Sequence, residues 1–261
     1  MTSAPPNVPS SQGTRRGAFK RTAFATFALA AFVGFILLGN WQVRRLHWKL
    51  ALIHDVNTRV HAPPVAAPGP AQWPQIEAGH QQYLHVTLHG RFIDGAPTLV
   101  HGTSKDGYGF WVLAPLRTDR GFVVLVNRGY IPASMPGTSA MRQVAPPSGD
   151  ITLTGLLRFS EPGGGFMRPN RPAQHQWYSR DVKAIAAARG LPSAQTAPYF
   201  VDADADTAKG AWPLAGQTVI HFPNHHLNYA ITWYLMALGT LLGVVVAVRR
   251  ERRGRREHDA E

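Results

Sequence analysis

The chain has 261 residues, with 27 Lys and Arg against 15 Asp and Glu, a formal charge of +12, and no cysteine. Its length holds one medium domain plus accessory elements, and the lack of cysteine excludes a structural disulfide, a thioether-linked haem and any Cys-x-x-Cys copper or redox site. Ten of the basic residues sit in two tails beside apolar segments, where anionic headgroups explain them, so the charge does not point to nucleic acid.

In chain order, residues 1–21 form a basic tail, Pro-, Ser- and Gly-rich at its start and expected to be disordered and cytoplasmic. From Thr22 to Val43 no residue is charged, and the stretch TAFATFALAAFVGFILLG is almost wholly apolar. Residues 22–43 are therefore predicted to be a transmembrane helix, since roughly 20 apolar residues cross a hydrocarbon core about 30 Å thick. The run is too long for a signal-peptide core and no small-x-small site follows it, which predicts an uncleaved anchor. Residues 44–60 extend the helix: Trp41, Arg45, Trp48 and Leu52 fall at i, i+4, i+7 and i+11, one stripe of a helix. Residues 61–82, Pro-rich from Ala62 to Pro74, are predicted to be an extended, semi-rigid connector.

From residue 83 the period changes to two, with Leu84, Val86 and Leu88 alternating with His85, Thr87 and His89. Further strands are predicted at 110–116, 122–128, 151–159, 199–202 and 218–222, and one short helix at 181–189. Residues 83–222 thus form a β domain. The segment 224–248, with YAITWYLMALGTLLGVVVAV uncharged, is predicted to be a second transmembrane helix, and 249–261 a basic tail. The predicted fold class is an α+β membrane protein in which two transmembrane helices flank an antiparallel, barrel-like β domain. Arg249, Arg250, Arg252, Arg253, Arg255 and Arg256 follow the second span, which places both termini in the cytoplasm and the β domain outside, in the periplasm of a bacterium.

A hydrolytic site is hard to build: there is no G-x-S-x-G, no H-E-x-x-H and no P-loop. The run VDADAD lacks the turn glycine and terminal Glu of a calcium loop, so a solvated loop is expected there. His85 and His89 share a strand face but stand roughly 13 Å apart, and with His101 they are expected to be polar outer-face residues. The stretch FPNHHLNYAITWYLMAL puts two histidines where the second span begins. Pro223 and Asn224 suit a helix start. His225 and His226 point roughly 100° apart on a helix, and His226 shares its face with Tyr229, Ala230 and Trp233. Two readings stay open. One is an interfacial belt of His, Tyr and Trp. The other is an axial ligand for a haem lying flat between two helices, with Ala230 leaving room, Arg45 pairing with propionates and Trp41 or Trp48 stacking.

Three stretches carry a resemblance. LGNWQVRRLHWK, with Leu38, Gly39, Trp41, Gln42, Arg45, Trp48 and Lys49, looks like the first signature of the surfeit locus protein 1 family, the Shy-type assembly factors. VLVNRGYIP resembles its central signature, with Tyr130 where Trp is usual, and is expected to be a structural turn. NHHLNYAITWY resembles the final one at Asn224, His226, Leu227, Tyr229, Ala230, Thr232 and Trp233. The resemblance implies an inner-membrane assembly factor of cytochrome c oxidase, not an enzyme. It implies help in delivering haem a to the catalytic subunit, with His226 as the favoured iron ligand. The implied partners are that subunit, the haem a synthesis machinery and the lipid membrane, with no nucleic acid. A copper-delivery factor would need soft sulfur ligands, and the chain has neither cysteine nor a Met-x-x-Met spacing. A cofactor-free scaffold that stabilises the nascent oxidase subunit remains the alternative.

Overall fold

The computed structural model describes residues 11–135, 142–165, 167–205, 212–220 and 222–258. In chain order its elements are α1 (Ser11–His61), β1 (Val65–Ala66), α2 (Ala78–Gln81), β2 (His85–Phe92), β3 (Thr98–Ser104), β4 (Gly107–Thr118), β5 (Val123–Pro132), β6 (Asp150–Phe159), α3 (Val182–Ala188), β7 (Thr196–Ala203) and α4 (His226–His258). The chain divides into two units, Met1–Ile53 with Phe222–Glu261, and His54–His221.

The first unit is a helix pair. No proline occurs between Ser11 and His61, and Pro63 and Pro64 end α1 because neither can continue the helical hydrogen bonding. Residues 11–21, expected to belong to a disordered tail, are helical. Both helices are long and apolar enough to cross a membrane. Only 11% and 6% of their most apolar windows is buried, so neither is the core helix of a soluble domain. They run antiparallel. Arg21 Nε meets Glu251 Oε1 at 2.7 Å toward one end, and Gln42 meets His226 toward the other. The 21 residues from Arg21 to Gln42 rise about 32 Å, close to the hydrocarbon thickness of a bilayer. Charged and polar contacts thus stand at both ends of an apolar seam.

In the second unit, β2, β6, β7, β5 and β4 form a closed circuit. β2 pairs with β6 along His85–Arg91, and its last residues, Gly90–Phe92, pair with Leu116–Thr118 of β4. β3 extends the sheet beyond β4, and β1 lies beside β2. The chain thus has the predicted apolar helices before and after a barrel-like sheet in sequence, with a mixed rather than wholly antiparallel sheet. The segment between β6 and β7 lets β7 insert between β5 and β6, and lying antiparallel to β6 makes it parallel to β5. The barrel is filled by Val86, Leu88, Leu116, Val124, Val126, Leu157 and Tyr199. A second cluster, Leu113, Leu125 and Phe200, packs the outer face against Val182 and Ile185 of α3. Both faces of β5 are therefore buried, as its unbroken run Phe122–Val126 suggests.

Three expectations change. β3 was not expected, because Gly102 looked like a break; a Cβ there would lie 2.2 Å from Trp111 Nε1, so the glycine lets that ring cover the strand. Residues 218–220 and 222 are not strand. The Thr218 hydroxyl donates to Asp202 Oδ2 at 2.9 Å instead. VNRGY is not a turn but the middle of β5. The Pro-rich run is extended at β1, and the Pro68 carbonyl accepts from Trp73 Nε1 at 3.0 Å and the Tyr199 hydroxyl at 2.6 Å, which ties it to the barrel.

Gly129, inside VNRGY, has φ 132°, and a Cβ on it would stand 2.3 Å from the Leu214 backbone. Gly129→Ala combines left-handed strain with a backbone collision. It is expected to destabilise the second unit by about 2–4 kcal/mol, read as a lowered urea midpoint.

Asp202, expected to lie in a solvated loop, is 3% exposed and is the hub of a charge cluster on β7. Its Oδ2 accepts from Arg158 Nη1 at 2.7 Å, and its Oδ1 from Asn127 Nδ2 at 2.7 Å and Arg180 Nη1 at 3.4 Å. Arg180 also grips Glu161 with two nitrogens, Nε at 3.0 Å from Oε2 and Nη2 on Oε1. Burial alone pushes the Glu161 carboxyl up, but the Arg180 guanidinium outweighs it and holds the group below the ordinary carboxylate range. The sign follows: Glu161 adds stability above the unfolded value of about 4.3, and that contribution is lost as pH falls through the lower folded value. Glu161→Gln is expected to flatten the acid limb of the melting-temperature profile below about pH 4 while leaving its slope between pH 6 and 8 unchanged, as differential scanning calorimetry would show.

Candidate functional site

The signatures at the end of the first span and the start of the second meet in the helix pair. Asn224 Oδ1 accepts from the His226 backbone N–H at 3.4 Å, the Asx-type start that the sequence suggests. One turn inside, Ala230 is 2% exposed, and Trp233 stacks on Phe35 of α1 with centroids 5.9 Å apart. Gly39 exists for this packing: a Cβ on it would lie 2.6 Å from Cε1 of Tyr234. The Tyr234 hydroxyl meets Asn40 Oδ1 at 2.8 Å.

The decisive contact is His226 Nδ1 to Gln42 Oε1 at 2.8 Å, with Gln42 only 9% exposed. An amide oxygen can only accept, so Nδ1 carries the proton and donates. In the neutral ring the lone pair then lies on Nε2, for which the described residues offer no hydrogen-bond partner. An imidazole held by one nitrogen and open at the other is the arrangement of a metal-ligating histidine with its outer-shell partner. His225 is exposed and takes no part.

Of the predicted residues, the fold brings His226 and Trp233 into the seam with α1. Tyr229 is exposed, as are Trp41, Arg45 and Trp48. Arg45 lies 4.2 Å over the Trp48 ring, so two members of that stripe are coupled to each other. Among the described residues no hydrogen bond or ring contact joins the stripe to His226. Ala230 does not leave an open shelf between the helices. It is covered, and on the same stretch of α4 His226 meets Gln42 and Trp233 meets Phe35 of α1. Gln42 lies in the first signature, and its partner His226 is 184 positions away in the chain. The available signal was a neutral amide next to an uncharged span, a group that is costly near lipid unless it finds a partner.

The strand histidines are otherwise engaged. His85 bridges the Ala62 carbonyl at 2.8 Å and Asp204 at 2.9 Å, and His89 meets the Thr152 hydroxyl at 2.8 Å. His101 stacks on Tyr178 with centroids 4.8 Å apart. Among the described residues no group of three or more His, Asp or Glu side chains gathers in a way that could hold a metal ion.

Comparison with known proteins gives a family model, described as the SURF1 family, that matches residues 29–238. That range takes in the Gln42–His226 end of the α1–α4 seam and the whole β unit. The chain is similar to surfeit locus protein 1 of Rattus norvegicus, 33% identical over 78% of this chain and 68% of the relative. It is similar to the human protein of that name, at 31% over 78% and 70%. It also resembles a SURF1-like protein of Monosiga brevicollis, at 34% over 78% and 79%. A match running from the first apolar helix to the second, with identities near one third across most of each relative, makes this chain a member of the SURF1 family.

Proposed function

We propose that this protein is a bacterial inner-membrane factor in the assembly of haem–copper cytochrome c oxidase, and that it helps deliver haem a to the catalytic subunit. The observation that carries the reading is the buried Gln42 amide clasping His226 Nδ1, which leaves Nε2 available as a single ligand. On this reading the helices cross the membrane with both termini in the cytoplasm and the β unit in the periplasm. The arginine run after the second span, Arg249 to Arg256, supports that orientation. The partners are the catalytic subunit, the haem a synthesis machinery and the lipid bilayer. The chain acts by holding and handing over, not by catalysing a reaction.

The residues fit haem a in one way and not in another. A haem sandwiched between the helices does not fit, since Ala230 is covered and Gln42 reaches His226 directly. On this reading the haem is taken at the exposed side of the pair. His226 offers Nε2, Arg45 offers a guanidinium to propionates, and Tyr229, Trp41 and Trp48 expose aromatic faces. His226 Nε2 would hold the iron that haem a would supply. Gln42 keeps the ring turned and the proton on Nδ1. A single neutral ligand suits a donor that must later release its cargo.

The covered seam also favours a second reading, a cofactor-free scaffold. In it, Gln42–His226, Asn40–Tyr234 and Phe35–Trp233 serve only to pack the helices around a nascent subunit. Retention of haem a through purification, and its dependence on His226 and Gln42, separates the two.

A further inference from the structure

The open end of the barrel holds a second feature, independent of the haem reading. β2 and β7 end there and β6 begins, around a cavity of about 530 Å³. Its wall mixes apolar side chains, Phe92, Ile151, Leu153 and Leu214, with polar ones, Thr152, Thr154, Asp204 and Gln217. Val124 and Val126 point into the barrel core, and Arg128, two residues further on the same face of β5, continues that row into the mouth. An inward-facing row of valines ending in arginine needs an explanation beyond packing.

Arg128 differs from the arginines of the Asp202 cluster. Arg158 and Arg180 each hold the Asp202 carboxylate. The Arg128 guanidinium instead donates through Nη1 to the Val144 carbonyl and lies 5.5 Å over the Phe92 ring. No carboxylate pairs with it among the described residues. Asp204, on the same wall, is already engaged by His85 Nε2 at 2.9 Å. Burial weakens the hold of Arg128 on its proton, as expected for a desolvated charge without a counter-ion. A half-buried guanidinium is normally compensated, and an anion in the cavity would do that. Pockets of this size in barrel mouths, with apolar side chains and a few polar groups that fix orientation, are a usual form of small-molecule site.

We propose that the barrel mouth binds an anionic amphiphile, with its carboxylate or phosphate on Arg128 and its acyl chain along Phe92, Val126, Ile151 and Leu153. A bilayer is rich in such molecules, as free fatty acid or as anionic phospholipid. Both offer the same chemistry, and competition tells them apart.

The test uses the full chain in lipid nanodiscs and a dodecanoic acid analogue carrying a terminal diazirine, with the labelled peptides mapped by mass spectrometry. Saturable labelling of the peptides around Phe92, Leu153 and Leu214 is expected, displaced by dodecanoate and not by dodecanol. Displacement also by a lyso-phosphatidylglycerol of equal chain length assigns a phospholipid, and failure of that competitor assigns the free acid. Arg128→Gln should weaken labelling about tenfold or more, and Arg128→Lys less, because charge survives while the two-pronged geometry is lost. Since Arg128 also holds Val144, Ala203→Leu serves as the second variant. It fills the cavity, leaves Arg128 in place and should reduce labelling as well. His226→Ala should leave labelling unchanged, which keeps this result separate from the haem reading. Equal displacement by dodecanol, labelling spread over other peptides, or labelling indifferent to both Arg128→Gln and Ala203→Leu would overturn the proposal.

Discussion

Protein purified in mild detergent from membranes that make haem a is expected to carry the pigment, and His226→Ala is expected to lose it. The loss should be near complete, because Nε2 of this one imidazole is the only iron ligand the helix pair is inferred to offer. His225→Ala should retain wild-type colour, since that ring is exposed and precedes the first residue of α4. Gln42→Leu is the sharper probe. It removes the acceptor at 2.8 Å from Nδ1 while keeping side-chain bulk. Outer-shell losses of this kind cost about 10–100-fold in affinity, so haem a retention should fall and the reduced spectrum of the remainder should shift. Gln42→Glu, which keeps an acceptor oxygen, should restore much of the retention. A merely structural Gln42 would alter neither spectrum nor rescue. A colourless wild type from haem-a-replete membranes would move the reading to the scaffold.

Asp202→Ala is expected to be the most damaging single change in the β unit. The carboxylate is 3% exposed and takes donors from Arg158, Arg180, Asn127 and Thr218. Removing it leaves Glu161 alone to compensate two guanidiniums whose side chains are each only 14% exposed. Breaking a buried pair from one side costs about 3–5 kcal/mol, a large share of the roughly 5–15 kcal/mol by which a domain is stable. The urea midpoint, followed by tryptophan fluorescence, should drop accordingly. The physical claim is that the cost comes from uncompensated charge. Asp202→Ala combined with Arg158→Met and Arg180→Met should therefore regain stability over Asp202→Ala alone. A triple variant less stable than the single one would show that shape, not charge, is what Asp202 supplies.

How far the sequence carried the fold depends on the range over which each signal acts. Charge-free runs of about 20 residues and the proline-free stretch to His61 specify their helices locally, and β4, β5, β6 and β7 contain the predicted strands. β3 escaped because the reason for Gly102 is a ring nine residues away, Trp111, across a strand pair. The role of Asp202 escaped because the run VDADAD looks solvated, while its partners come from β5, β6, the segment before α3 and the chain after β7. For the site, the motif residues in order pointed to His226. The chain separates Gln42 from that ring by 184 positions, and no local pattern joins them.

The sequence by itself determined which segments are apolar enough to leave water, where strands alternate, and the family to which the chain belongs. Those properties rest on composition, period and short motifs, which survive without a folded backbone. Only the tertiary structure decided that β7 inserts between β5 and β6, that Arg128 ends an inward row at a barrel mouth, and that Gln42 selects the tautomer of His226. Each of these depends on residues far apart in the chain being brought within a few ångströms, where a hydrogen bond or an unpaired charge first acquires its meaning.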